Sequence, residues 1–184
     1  MEGIKQYIRN INKDVSEDFL NEITAALKFK NEHTVRLILA IIANESSFKQ
    51  FAVGDNGYSI GLGQISIARG KDDDKISTFE SILANLPFLS FTLNFDKELK
   101  KYRENNWSEC KLFDVKTQIA VIDEYLNMIN FKIRVEGKNL DLTKITYLYN
   151  AGIFSDLNKI EIWLSNYPYY INVEYWYNET VKYF

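Results

Sequence analysis

Residues 37–66 read LILAIIANESSFKQFAVGDNGYSIGLGQIS. Val35, Ile38, Leu39, Ile41 and Ile42 recur at the spacing of one helix face. Glu45 follows Ile42 by three residues, Ile41 by four and Ile38 by seven, so it continues that apolar stripe. A carboxylate among apolar neighbours loses solvation, which favours the neutral form and raises its pKa. A carboxylic acid still protonated near neutral pH can donate a proton to a leaving oxygen. Glu45 is therefore the candidate catalytic acid; the alternative is a half-exposed glutamate at a helix end. The loop after it holds Gly54, Asp55, Asn56, Gly57, Ser59, Gly61 and Gly63 and closes on Gln64. Glycine permits positive φ and close approach of backbone to ligand. A short β-hairpin is expected within 58–65. The loop fits neither the P-loop nor the dinucleotide fingerprint, so phosphate binding is rejected.

Outward from this stretch the pattern is helical. A helix is expected over residues 1–12, with Ile4, Ile8 and Ile11 on one side. Asp14 to Glu17 has capping-box spacing and predicts a helix to about Lys30. Residues 31–34 open the helix that carries Glu45. His33, near its start, lies some three turns from Glu45 and reads as solvated surface. Ser77 to Glu80 is a second capping box, for a helix that Pro87 breaks. Residues 91–105 predict a helix with Phe91, Phe95, Leu99 and Tyr102 on one stripe. Asp114 caps a helix to about Ile133, and Asp141 caps another to Ala151, with Gly152 at its C-terminal end. Residues 155–164 and 171–184 predict closing helices separated by a Pro168 loop. The expected fold class is mainly α with a small β element after the Glu45 helix. Residues 1–184 read as one domain, with 1–33 an N-terminal helical extension and 67–110 a helical insert beside the cleft.

The 184 residues are 46% hydrophobic, enough for a full core, and 15% aromatic, with 12 Tyr and 12 Phe. A net charge of −3 gives no electrostatic footprint for nucleic acid or anionic lipid. The single cysteine, Cys110, excludes an internal disulfide, and with one histidine a structural zinc site is not expected. Asp72, Asp73 and Asp74 are adjacent acids without EF-hand spacing. No metal and no cofactor are expected. No segment has the length of a membrane span, and the N-terminus has no apolar run of signal-peptide type.

Four blocks carry a family resemblance. Glu45-Ser46-Ser47-Phe48 and Gly61-Leu62-Gly63-Gln64 resemble the first two motifs of the soluble lytic transglycosylase catalytic domain, which is lysozyme-like. Tyr149-Asn150-Ala151-Gly152 and the closing Glu179-Thr180-Val181-Lys182-Tyr183 resemble its last two. The order matches, over roughly residues 34–184. Gly63 stands where the family has Met, and Asp55 stands where it has Ser. Gly54 to Gly61 looks more like the loop of goose-type lysozymes, which carry an Asp there, but Ser66 stands where those enzymes place a second Asp.

The resemblance implies cleavage of the MurNAc-β-1,4-GlcNAc bond of peptidoglycan glycan strands, with 1,6-anhydro-MurNAc ends. It implies that Glu45 acts as acid and then base. Tyr149 would hydrogen-bond near Glu45, Gln64 and the Gly61 to Gly63 backbone would hold acetamido groups, and Asn150 would fix the helix end. Ser59 is the candidate for part of the displaced serine's role. Asp55 has two readings: a turn residue before Asn56-Gly57, or, at about 6.5–9.5 Å from Glu45, the base of an inverting muramidase. A non-catalytic wall-binding or assembly component of a virion or secretion apparatus is the third reading. The site of action implied is the bacterial envelope, reached by a virion, by lysis or by another export route.

Overall fold

Side-chain caps set where most of the helices begin. The computed structural model describes residues 1–68, 76–166 and 168–184; the Asp72 to Asp74 run lies outside them. The helices are α1 (Glu2–Ile11), α2 (Glu17–Leu27), α3 (Glu32–Ser46), α4 (Thr78–Ala84), α5 (Pro87–Thr92), α6 (Phe95–Arg103), α7 (Val115–Val135), α8 (Leu142–Ala151), α9 (Ile160–Asn166) and α10 (Tyr169–Thr180). Asn31 Oδ1 accepts the Thr34 amide at 2.9 Å, Asp114 Oδ2 that of Thr117 at 3.0 Å, and Asp141 Oδ1 that of Lys144 at 2.8 Å. Ser77 and Glu80 form the reciprocal capping box at the start of α4.

Several boundaries differ from the sequence expectation. Ser16, not Asp14, caps α2, and that helix stops at Leu27 rather than Lys30. Pro87 occupies the first turn of α5, where its missing N–H costs no helical bond. The helix expected over 91–105 begins at Phe95 because the Asn94 side chain caps Lys97. Phe91 therefore sits on α5 and is 90% exposed instead of joining the inward stripe. No loop separates Pro168 from the last helix, which starts at Tyr169.

The centre of the core is α3. Every residue from Leu37 to Ala43 is buried, so these two turns are apolar all round, as a helix segment enclosed by others must be. It packs against α10 along its length and also against α7, while α7 packs on α2 and α8. Arg36 ties α3 to α10: its Nε donates to Thr180 Oγ1 at 3.0 Å and its guanidinium lies 4.2 Å from the Tyr177 ring centre. His33 is exposed, and its Nδ1 lies 2.7 Å from the Tyr177 hydroxyl, on the surface and apart from Glu45. The closing Glu-Thr-x-x-Tyr segment thus works as a tie: Thr180 is fully buried and Tyr183 accepts from Asn10 Nδ2 at 2.5 Å.

The β element is larger than one hairpin. Strands β1 (Val53–Gly54), β2 (Ser59–Ile60) and β3 (Ile65–Ser66) form an antiparallel sheet in that order. Val53 pairs with Ile60, and Ile60 with Ile65. Ile60, Leu62 and Ile65 are buried and anchor the sheet to the core. Its first turn is held from outside by α6, where the Tyr102 hydroxyl donates to the Gly57 carbonyl at 2.9 Å. No described helix is long and apolar enough to cross a membrane.

Candidate active site

The end of α3 presents Glu45. After Ser46 the chain turns through two left-handed residues, Ser47 at φ 50° and Phe48 at φ 60°. Phe48 then buries its ring edge-on to Tyr7, at 6.0 Å between ring centres. That anchor explains the Glu-Ser-x-Phe block: Phe48 fixes the turn while Glu45, one turn back, remains at the open side.

Glu45 lines a cleft of about 370 Å³ together with Asp55, Ser59, Gln64, Thr78, Tyr125, Tyr149 and Asn150. Burial pushes its pKa up to about 7, a hydrogen bond from the Tyr169 hydroxyl opposes that rise, and the charge of Asp55 adds to it. None of the described residues lining the cleft is a cation. The Tyr169 hydroxyl donates to Glu45, Tyr149 feels its charge and Tyr125 lines the same cleft; burial raises all three phenol pKa values, so they stay protonated. A carboxyl surrounded by neutral hydroxyls and no ammonium or guanidinium can exchange its proton near neutral pH.

Five of the six expected binding residues share this cleft with Glu45, and each has a structural partner. Ser59 Oγ donates to Asp55 Oδ2 at 2.6 Å. Gln64 Nε2 donates to the Gly61 carbonyl at 2.9 Å, and its Oε1 comes so close to Gly54 that a Cβ there would lie 2.2 Å away. Its amide is thus a strut across the turn. Tyr149 lines the cleft beside Glu45 and donates to the Gly63 carbonyl at 2.9 Å. Asn150 Oδ1 accepts from Trp163 Nε1 at 3.2 Å, so it joins α8 to α9. Gly61 is buried away from the cleft lining, at φ 73°, where a Cβ would collide with the Gln118 amide at 2.4 Å. Its role is to turn the backbone.

Packing leaves room only for glycine at position 63. A Cβ there would lie 2.6 Å from Ile122 and 2.7 Å from the Tyr149 hydroxyl, so these groups already fill the space a side chain would take. Asp55, Asn56 and Gln64 all have positive φ, at 50°, 56° and 48°. Backbone strain of this kind collects in walls that position groups for function.

Tyr169 is the residue that sequence reasoning missed. It contacts Glu45 directly, yet it lies 124 positions further along the chain. The available signal was Pro168: proline favours the first turn of a helix, which would place Tyr169 on α10 instead of in a loop. Among the described residues no group of acidic, histidine or cysteine side chains could hold a metal ion. Comparisons with protein-family models, with curated proteins and with solved structures found no match.

Proposed function

We propose that this protein is a peptidoglycan lytic transglycosylase with a lysozyme-like fold. The observation that carries the reading is Glu45: a carboxyl with its pKa pushed up to about 7, opening onto a cleft with no cation among its described lining residues. In this reading Glu45 protonates the glycosidic oxygen between muramic acid and glucosamine, and the bond from the anomeric carbon to that oxygen breaks. The Glu45 carboxylate then removes the proton of the 6-hydroxyl of the same muramic acid. That oxygen closes onto the anomeric carbon, the glutamic acid is regenerated, and a 1,6-anhydro end results. Attack from within one sugar replaces the positioned water of a hydrolase. Tyr169 orients the carboxyl throughout.

Asp55 supports a second reading. It lines the same cleft and its charge acts on Glu45, as the base of an inverting muramidase would. Its hydrogen bond from Ser59 and its place in the turn support the structural role. Digestion of purified sacculi, with products identified by mass spectrometry, separates the two. Anhydro-muramic ends that vanish in Glu45→Gln support the transglycosylase. Reducing muramic ends support the hydrolase. A folded protein that releases no product contradicts both and favours a wall-binding or assembly role. Loss of the general acid should cost about a hundredfold to ten-thousandfold in rate.

A further inference from the structure

The turn that carries Asp55 is strained. Asp55, Asn56 and Gly57 have φ of 50°, 56° and 95°, three left-handed residues in succession, two of them with side chains. Such a run persists only where its surroundings over-determine it. Two bonds close it on itself: the Tyr58 amide donates to the Asp55 carbonyl at 3.2 Å, and the Ser59 hydroxyl to the Asp55 carboxylate at 2.6 Å. Another comes from α6, where the Tyr102 hydroxyl donates to the Gly57 carbonyl at 2.9 Å. Tyr102 stands on a firm base. Its ring stacks on Trp107 at 6.2 Å and 15°, Trp107 Nε1 donates to the Tyr102 carbonyl at 3.2 Å, and Phe113 packs against both rings. One turn earlier on α6, Glu98 is 4% exposed, pairs with Lys101 at 2.9 Å and accepts the Lys111 amide at 2.7 Å. A buried carboxylate with these partners ties the segment after α6 back onto the helix.

We propose that Tyr102 is a positioning residue for the reaction: through the Gly57 carbonyl it fixes the 55–57 turn and so keeps the Asp55 carboxylate beside Glu45. The inference rests on the reading of Glu45 as the reacting acid. Among the described residues lining the cleft the only carboxyl groups are Glu45 and Asp55. The phenols of Tyr169 on α10, Tyr149 on α8 and Tyr125 on α7 stay protonated. Asp55 is thus the charge that acts on Glu45 and helps to keep it protonated. Asp55 is itself exposed, so packing does not hold it in place and the turn must. A turn freed at Gly57 lets the carboxylate swing away from Glu45, and the interaction falls with distance and with screening by solvent. Tyr102 is a lasting donor, since burial and the Cys110 charge raise its phenol pKa.

The test is Tyr102→Phe, which removes one oxygen and keeps the ring against Trp107. The Glu45 carboxyl is titrated by carboxyl-resolved NMR in wild type, Tyr102→Phe, Asp55→Asn and the double variant. Its pKa should fall in Tyr102→Phe, by no more than it falls in Asp55→Asn, and the double variant should titrate with Asp55→Asn. Hydrogen exchange of the Tyr58 amide should quicken in Tyr102→Phe, which reports the loosened turn directly. In sacculus clearance the alkaline limb should move to lower pH while the rate at low pH is kept, whereas a loss of stability alone would lower the rate at every pH. A Glu45 pKa that Tyr102→Phe leaves unchanged, or lowers equally with and without the Asp55 carboxylate, would overturn the inference. So would an unaltered Tyr58 amide. If the wild type cuts no peptidoglycan but the Asp55-dependent shift is present, the reaction is wrong and the positioning role stands. If it cuts and the shift is absent, the positioning role is wrong and the reaction stands.

Discussion

Replacing Tyr169 by Phe removes one oxygen from the site and tests the link between Glu45 and its proton. The Tyr169 hydroxyl donates to Glu45 Oε1 and lowers a pKa that burial has pushed up to about 7. A hydrogen bond to a charged group contributes about 1.5–3 kcal/mol, and 1.36 kcal/mol corresponds to one pH unit, so the Glu45 pKa should rise by about one to two pH units. The sign is fixed, because the lost bond stabilised the anion. A general acid must start protonated, so activity falls as pH rises through its pKa. The alkaline limb of sacculus solubilisation should therefore move from about pH 7 to about pH 8 or above in Tyr169→Phe. Turbidity clearance measured from about pH 5 to about pH 9 reads this directly, and a carboxyl-resolved NMR titration reads the same group without turnover. A limb that stays in place, or moves to lower pH, would refute the assignment of Tyr169 as the partner that tunes Glu45.

Stability should depend on Glu45 as well. Its folded pKa of about 7 exceeds a free glutamate's 4.5, so the folded state holds this proton more tightly than the unfolded chain. The contribution is therefore complete below about pH 4.5 and lost as pH rises to about 7, by about 3 kcal/mol at most. Urea denaturation should show Glu45→Gln gaining on wild type across that window, and a constant difference would contradict the burial argument. Asp55→Asn should keep most activity and shift the alkaline limb to lower pH, since the Asp55 charge raises the Glu45 pKa. A loss of about a hundredfold or more would make Asp55 a base. Gly63→Ala should destabilise by about 1–3 kcal/mol and lower activity, because the new Cβ displaces Ile122 or the Tyr149 hydroxyl. A thermal melt within a degree of wild type would show that the wall yields without cost.

Local chemistry wrote most of the helices into the chain. Asn31, Ser77, Asp114 and Asp141 cap where their spacing says they should, because capping needs only residues within one turn. The same locality placed Glu45 at the end of an apolar helix and put a β element after it. The local signals failed where neighbouring ones competed. Asn94 outcompeted the apolar run through Phe91, and Pro168 read as a break when it opens α10.

The side-chain partners around Glu45 lay beyond that reach. Tyr169 comes to Glu45 only because α10 packs along α3, and no spacing rule spans 124 positions. Tyr149 reaches a carbonyl 86 positions away, that of Gly63, and Gln64 donates its amide to Gly61. By itself the sequence placed Glu45 at the end of an apolar helix and set where that helix begins, since periodicity and caps are properties of short segments. Tertiary structure alone decided which hydroxyl holds that carboxyl and how far it is desolvated. Those depend on surfaces brought together by core packing, between residues remote in the chain.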